Sequence, residues 1–462
     1  TAAAAPSIRV ADCAYNAQQI VACIKQAEEK QVQLLVLPEL CVTGYTCGDL
    51  FLQPTLLQGA QDALQTICEN TAGTEVLCVL GLPVVQDGKL YNCAAVIQKG
   101  KVLGVVPKTH LPNYNEFYEK RQFAPAPAED DYISFCGQEA VPFGAGQIFT
   151  CENLPELVLG FEICEDLWVA QPPSISHALA GATVIANLSA SDETTGKDIY
   201  RRSLVSGQSA RLVCGYIYAD AGEGESSTDL VFGAHNLICE NGSILAESER
   251  FSNQMIMADM DMSKLISERR RMSTWQPKFD NGYRVIDFDL EMHEVDLRRF
   301  IDPHPFVPDD AMDRTRRCEE ILTIQAMGLK KRLAHTHCRH AVVGISGGLD
   351  STLALLVTVR AFDMLDMDRS QIMAVTMPCF GTTDRTYHNA CELVRRLGAT
   401  LEEVDIKEAV TLHFSDIGQD PANHDVTYEN GQARERTQVL MDIANRLGGM
   451  VIGTGDMSEL AL

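Results

Sequence analysis

Two hydrophobic rhythms divide this chain, and they constrain its fold more than any single motif does. From about residue 313 helical and strand patterns alternate: "RCEEILTIQAMGLKKRLAH", "AVVGIS", "STLALLVTVRAF", "QIMAVTMP", "DRTYHNACELVRRLG", "ATLEEVDI", "QARERTQVLMDIANRLG" and "MVIGTG". Such alternation is the signature of a parallel, doubly wound sheet. Up to about residue 265, strands dominate instead. Ile20, Val21 and Ile24 stand at helical spacing, and "LLVLPEL" follows as a buried strand. The runs "EVLCVLGLPVV", "LYNCAAVI" and "VLGVVPK", joined by the turns "QDGK" and "QKGK", read as a meander. "ELVLGFEIC", "ATVIANLS", a helix over about 199–212, "VCGYIY" and "GAHNLICENGSIL" complete this part. Helices beside a large sheet predict an α/β sandwich. Residues 266–312 carry charge, Pro and aromatics with little periodicity, so they read as a connector that packs on one or both neighbours. The expected division is therefore 1–265, a connector at 266–312, and 313–462, as suits a chain too long for one core.

Composition narrows the class of function. A net charge of −25 argues against tracking a nucleic-acid backbone, which needs Lys and Arg to neutralise phosphates. Any anionic substrate must be met by local donors. The sixteen cysteines are scattered singly through apolar segments such as "EVLCVLG" and "RLVCGYIY", as reduced cytosolic thiols are. No stretch reads as a secretory leader or a membrane span, and a cytoplasmic protein is expected. The sequence starts at Thr1 and breaks off at "GTGDMSELAL", just after a predicted buried strand. We expect it to be part of something longer, with the C-terminal part of its second sheet missing.

"AVVGISGGLDST" runs from a strand through a glycine turn into a helix start. Backbone N–H groups in such a turn converge on an anion, and glycines let a phosphate approach. The place of the Walker lysine holds Asp350, which makes sense beside phosphates if it carries Mg²⁺. The loop also sits at the C-terminal edge of a strand, where doubly wound sheets bind ligands.

"FEICEDLW" raises a different question. Cys164 stands among Glu162, Glu165 and Asp166, and carboxylates oppose a thiolate. Either the thiol is an inert core group or a cation arrives from elsewhere. Glu39 in "LLVLPEL", Lys108 in "VLGVVPKTHLP" and Cys164 each end an apolar strand, and strands of one sheet end near one another. Together they form a complete set: a nucleophile, a base for its proton, and a cation that favours the thiolate and holds an oxyanion. The N–H of Glu165 is placed to join Lys108 at that oxyanion. "HTHCRH", His335 to His340, offers ligand types without a second cluster to complete a metal site, and reads as a basic helix end.

The loop "SGGLDS" resembles that of the ATP pyrophosphatases, and "YENGQARERTQVLMDIAN" and "GTGDMSELAL" are similar to NAD synthetase motifs. The resemblance implies an adenine nucleotide alpha hydrolase-like doubly wound sheet. It implies that Gly344, Ile345, Ser346, Gly347, Gly348, Leu349, Asp350, Ser351 and Thr454 meet ATP. It further implies that Asn430 and Glu459 meet deamido-NAD⁺, and that Asp350 and Glu459 hold the metal. Glu39, Lys108 and Cys164 match the triad of the nitrilase (carbon–nitrogen hydrolase) superfamily, which implies an α-β-β-α sandwich. "LPELCVTGY", "KTHLPNYNEFYEKRQF" and "YADAGEGESSTDL" resemble the glutaminase domain of glutamine-dependent NAD synthetases. That likeness implies a further catalytic Glu119, and glutamine contacts at Tyr114, Ser191, Lys197 and Glu165. A Lys at 197, where some relatives carry Arg, is a point charge rather than a fork, so carboxylate binding should differ in detail. The implied reaction joins glutamine, deamido-NAD⁺ and ATP, with Mg²⁺, into glutamate, NAD⁺, AMP and pyrophosphate, in a homo-oligomer. Two alternatives stay open: a glutamine-dependent adenylating amidotransferase acting on another acid, and a glutamine amidase whose second domain only binds nucleotide.

Overall fold

Strand Leu77–Gln86 turns Leu77 and Val79 to one side and Cys78, Leu80 and Leu82 to the other, all buried. A strand apolar on both faces must lie inside a layered structure. The computed structural model describes residues 1–278, 282–292, 294, 296–380 and 384–455, and they fall into two units, Thr1–Ile301 and Asp302–Leu462.

In the first unit an eight-stranded sheet runs in the order Met255–Met257, Ala2–Ala4, Leu34–Val36, Leu77–Gln86, Lys89–Gln98, Lys101–Pro107, Gln138–Phe143, Asp131–Phe135. The two meander turns have positive φ at both central residues, Asp87 and Gly88 (50° and 71°), then Lys99 and Gly100 (50° and 74°). That geometry matches the twist of the flanking strands. A seven-stranded sheet runs Ser243–Glu247, Leu237–Glu240, Gly215–Asp220, Val184–Ser189, Val158–Ile163, Gln147–Cys151, Arg284–Phe288. Leu34, Val36, Val79 and Val96 of the first sheet meet Phe161, Ile163, Val184 and Ile217 of the second in one shared core. Helices Cys13–Glu29 and Pro54–Asn70 cover the outer face of the first sheet, and Pro173–Ala180 and Lys197–Leu212 that of the second. The result is an α-β-β-α sandwich.

Residues 266–312, expected as a connector, contribute regular structure to this unit up to Ile301. Helix Met262–Arg271 runs into them, and Arg284–Phe288 pairs parallel to Gln147–Cys151. Phe288 and Leu290 drop into the core between the sheets. The alternation in this five-residue strand is too short to stand out among flanking charges. The hairpin of Asp131–Phe135 and Gln138–Phe143 likewise lacks a clear alternation, because its edge position leaves several residues polar and exposed.

In the second unit a parallel sheet runs Thr400–Glu403, Ile372–Thr376, Ala341–Gly344, Met450–Ile452. Ala326, Leu333, Leu355, Phe362, Ala390 and Val394 pack three helices on one face. Val410, Phe414, Ile443 and Ala444 pack two helices on the other, as double winding requires. The chain steps outward in one direction from Ala341–Gly344, and Met450–Ile452 then adds on the opposite side. This makes the exit of Ala341–Gly344 the topological switch point, where such sheets bind ligands.

Candidate active sites

Glu39 follows strand Leu34–Val36 on a turn held tightly against the neighbouring strand. A Cβ on Gly81 would lie 2.1 Å from the Leu40 nitrogen and 2.7 Å from the Glu39 carbonyl carbon, so only glycine lets this turn sit there. Lys108 leaves strand Lys101–Pro107, its N–H bonded to Asn92 O at 2.8 Å. Its ammonium is 0% exposed and donates to Glu39 Oε1 at 2.6 Å and Glu119 Oε1 at 2.7 Å. Glu39 also accepts from Asn92 Nδ2 at 2.6 Å and from the N–H of Ala190 at 3.0 Å. Glu119 accepts in addition from Tyr45 O–H at 2.9 Å. Burial pushes the Glu119 carboxyl up to about 7, with Lys108 opposing the rise and the charge on Glu39 adding to it.

Cys164 stands between strand Val158–Ile163 and the short helix Glu165–Trp168 at φ 43°, ψ −99°. A non-glycine residue held at positive φ stores strain of about 1–3 kcal/mol, a feature concentrated at functional turns. Its N–H bonds to Leu188 O at 2.9 Å and Asn187 Oδ1 at 3.2 Å, which fixes the elbow on the adjacent strand. As the first residue of the helix, Glu165 has an N–H without an intrahelical acceptor.

The three residues therefore converge across the sandwich rather than along one sheet. Glu39 and Lys108 come from the eight-stranded sheet and Cys164 from the seven-stranded one. The electrostatics also differ from expectation. The Cys164 thiol is held well above its ordinary value, first by burial and then by Glu39, with Lys108 pulling it down and Glu119 pushing it up again. The cation does arrive, but two carboxylates share it. The sequence neighbours are occupied elsewhere. Glu162 faces the outer layer, accepting from Ser174 N at 2.8 Å and from Tyr216 O–H. Asp166 accepts from backbone N–H groups.

Tyr114 and Glu165 meet directly, Tyr114 O–H donating to Glu165 Oε1 at 2.8 Å, with Tyr114 52% exposed. Ser191 directly follows Ala190, whose N–H holds Glu39. Its own N–H donates to Asp220 Oδ1 at 2.8 Å and its Oγ accepts from Arg201. Lys197 pairs with Asp192 and lies over the rings of Trp168 and Phe117, 5.4 and 5.9 Å from their centroids. A cavity of about 240 Å³ opens beside Glu119 and is lined by Tyr45, Phe117, Tyr118 and Leu230.

Sequence reasoning missed Asn92, Tyr45 and the buried Arg201, which pairs with Glu193 and approaches Asp220 at 3.8 Å. A lone amide within the apolar run "LYNCAAVI" was the available signal for Asn92.

In the second unit the loop after Ala341–Gly344 has Gly347 at φ 82°, and a Cβ there would meet Thr386 O at 2.2 Å. Ser351 Oγ accepts from Ser346 N at 3.3 Å and donates to Gly348 O at 3.1 Å, while Ser346 Oγ accepts from Gly348 N at 3.2 Å. Gly344 ends the strand, and Ile345 N donates to Val375 O at 2.9 Å, anchoring the loop to the sheet. Leu349 and Asp350 open the following helix and are exposed. Asp350 and Thr454 line one hollow of about 550 Å³ with Gln325, Leu329 and Leu353. Asn430 lies exposed on helix Val426–Leu447, and Glu459 lies outside the described residues.

Comparison with known proteins agrees with both halves of this geometry. The model of the carbon-nitrogen hydrolase family matches residues 1–270, and that of NAD synthase residues 321–462. The glutamine-dependent NAD(+) synthetase of Mycobacterium tuberculosis is 43% identical over 98% of this chain and 69% of its own length. That of Thermotoga maritima is 28% identical over 96% of this chain and 72% of its own. The crystal structure of a glutamine-dependent NAD(+) synthetase from Cytophaga hutchinsonii shares the fold, at 24% identity and a TM-score of 0.51, over 99% of this chain and 74% of that one. Both family matches fall on the units that hold the two sites, and the chain belongs to the glutamine-dependent NAD(+) synthetases.

Proposed function

We propose that this chain converts deamido-NAD⁺ to NAD⁺ with glutamine as nitrogen donor and ATP as activator, through two sites whose residues have separate roles. The observation that carries the reading is Lys108, fully buried between Glu39 and Glu119 at the exits that also bring Cys164 to the same place. Glu39 takes the thiol proton as Sγ attacks the glutamine carboxamide. Lys108 and the N–H of Glu165 stabilise the oxyanion, and Glu39 returns the proton to the departing ammonia. Water activated by Glu39 then cleaves the thioester to glutamate. Glu119 holds Lys108 in place. Tyr114, Ser191, Lys197 and the Glu165 side chain are assigned to the glutamine ends. Because Asp192 already neutralises Lys197, the substrate carboxylate must share that cation.

In the second unit Gly344, Ile345, Ser346, Gly347, Gly348, Leu349, Asp350, Ser351 and Thr454 are assigned to ATP. Their loop offers backbone donors at the switch point. The nicotinate carboxylate attacks the α-phosphorus, pyrophosphate leaves, and ammonia displaces AMP from the acyl-adenylate. Asn430 and Glu459 are assigned to deamido-NAD⁺. An exposed carboxylate beside a phosphate loop suits Mg²⁺, which is bound by one or two carboxylates together with substrate phosphates. Asp350, with Glu459, would hold that ion, which supplies charge neutralisation on the phosphates when bound. A cytoplasmic homo-oligomer is part of the same reading. Cysteines such as Cys78, Cys93 and Cys214 stand buried and singly as thiols, and among the described residues no helix is long and apolar enough to cross a membrane.

The test follows glutamate, AMP and NAD⁺ in one sample. Cys164→Ala should abolish glutamate release while ammonium still supports AMP and NAD⁺ formation. Glutamine hydrolysis without AMP in the presence of ATP and deamido-NAD⁺ would overturn the ligase half in favour of an amidase.

A further inference from the structure

Asp166 is 1% exposed and has no part in the steps above, yet its carboxylate collects three backbone N–H groups from two separate stretches of chain. Oδ1 accepts from His110 N at 2.8 Å, and Oδ2 accepts from Ile163 N at 3.0 Å and more weakly from Thr109 N at 3.4 Å. Thr109 and His110 directly follow Lys108, and Ile163 directly precedes Cys164. These donors need a partner where the chain leaves the sheet, because an unpaired buried N–H is costly. A single side chain thus joins the exit of the Lys108 strand, in one sheet, to the exit of the Cys164 strand, in the other. Apolar packing between the sheets is non-directional and cannot set such a position finely, whereas three hydrogen bonds can.

We propose that Asp166 is a positioning residue for glutamine hydrolysis, clamping the two strand exits so that Lys108 is held within reach of Cys164. This rests on the reading of Cys164 as nucleophile and Lys108 as its cation. The chemistry of aspartate suits such a clamp, since both of its oxygens accept, whereas an isosteric asparagine offers one acceptor and turns donors toward donors. The carboxyl is kept although burial pushes it up to about 7, with Glu162 adding to the rise and Lys108 opposing it.

The test compares Asp166→Asn with the native protein in kcat and KM for glutamine and in the rate at which iodoacetamide alkylates Cys164, read on its peptide by mass spectrometry. Misplacing reacting groups by about 1 Å can cost 10²-fold, so kcat should fall by roughly that factor with KM within about threefold. Alkylation should slow at least about tenfold, because a thiol farther from its cation is less ionised. In a Lys108→Met background the same change should slow alkylation less than about threefold, since no cation remains to be misplaced. Equal slowing in both backgrounds, or a loss residing in KM, would overturn the proposal. If the amide variant does not fold, as judged by thermal unfolding, Asp166→Ser is measured in the same way. Native-like hydrolysis by Cys164→Ser would instead refute the assignment of the nucleophile.

Discussion

Replacing Lys108 by Met tests the charge logic of the first site most directly. The ammonium is fully buried and divides its charge between Glu39 at 2.6 Å and Glu119 at 2.7 Å, so the change leaves two carboxylates facing each other without a cation. Removal of one oxyanion donor costs about 10²–10³ in rate, and the thiol loses a charge that draws its pKa down, so kcat should fall ~10³-fold with little change in KM. Stability responds through a proton. Glu119 titrates at about 7 even with Lys108 beside it, and without the cation its pKa must rise further. The unfolded carboxyl titrates near 4.5, so at neutral pH the folded variant holds a proton that the unfolded chain releases. Its stability therefore falls with rising pH by ~1.4 kcal/mol per unit until the raised pKa is passed. In the native protein the same fall ends near pH 7, where Glu119 ionises. Between pH 7 and 8.5 the gap between the two should widen, by at most ~2 kcal/mol, or roughly 3 °C in unfolding midpoint for a unit of this size. Calorimetry at the two pH values, with glutamate release measured on the same samples, reads both effects. A variant within tenfold of native kcat, or a gap that does not change with pH, would refute the reasoning.

Three further changes have defined outcomes. Gly81→Ala drives a methyl into the backbone of Leu40, 2.1 Å away, and should cut glutamine turnover ~10²-fold by displacing Glu39, with circular dichroism unchanged. Tyr45→Phe removes a hydrogen bond that favours the charged form of Glu119, so the Glu119 limb of the pH–rate profile should move up by about one unit. Gly347→Ala combines a positive φ with a methyl 2.2 Å from Thr386 O, and should weaken ATP binding at least about tenfold by titration calorimetry.

The meander of the first unit, the parallel sheet of the second and the phosphate loop were legible because their signals are local. Helix–strand alternation marks the second unit, and turn residues with positive φ mark the meander. Glu39, Lys108 and Cys164 could be named because polar groups at the ends of apolar strands are conspicuous. The connector was harder to read, since strand Arg284–Phe288 gains its meaning only from Gln147–Cys151, far away in sequence.

What the sequence could not convey was which charges act on Cys164. Read along the chain, the opposing carboxylates are Glu162, Glu165 and Asp166. In space, Glu162 turns into the outer layer toward Tyr216, and Asp166 spends its oxygens on the backbone of residues 109, 110 and 163. The carboxylates that raise the thiol most are Glu39 and Glu119, and these two also hold the cation that lowers it. A reactive cysteine is usually made by lowering its pKa. Under the roles proposed above, Lys108 is tied to Glu39 and Glu119, and Cys164 gives its proton to Glu39 only as Sγ attacks. On that proposal the thiolate forms where a carbonyl is present to consume it, and Lys108 turns to the oxyanion once Glu39 has taken the proton. The acidic surroundings that argued against a nucleophile thus become its mode of activation, provided that Glu39 and Lys108 reach it from the opposite sheet.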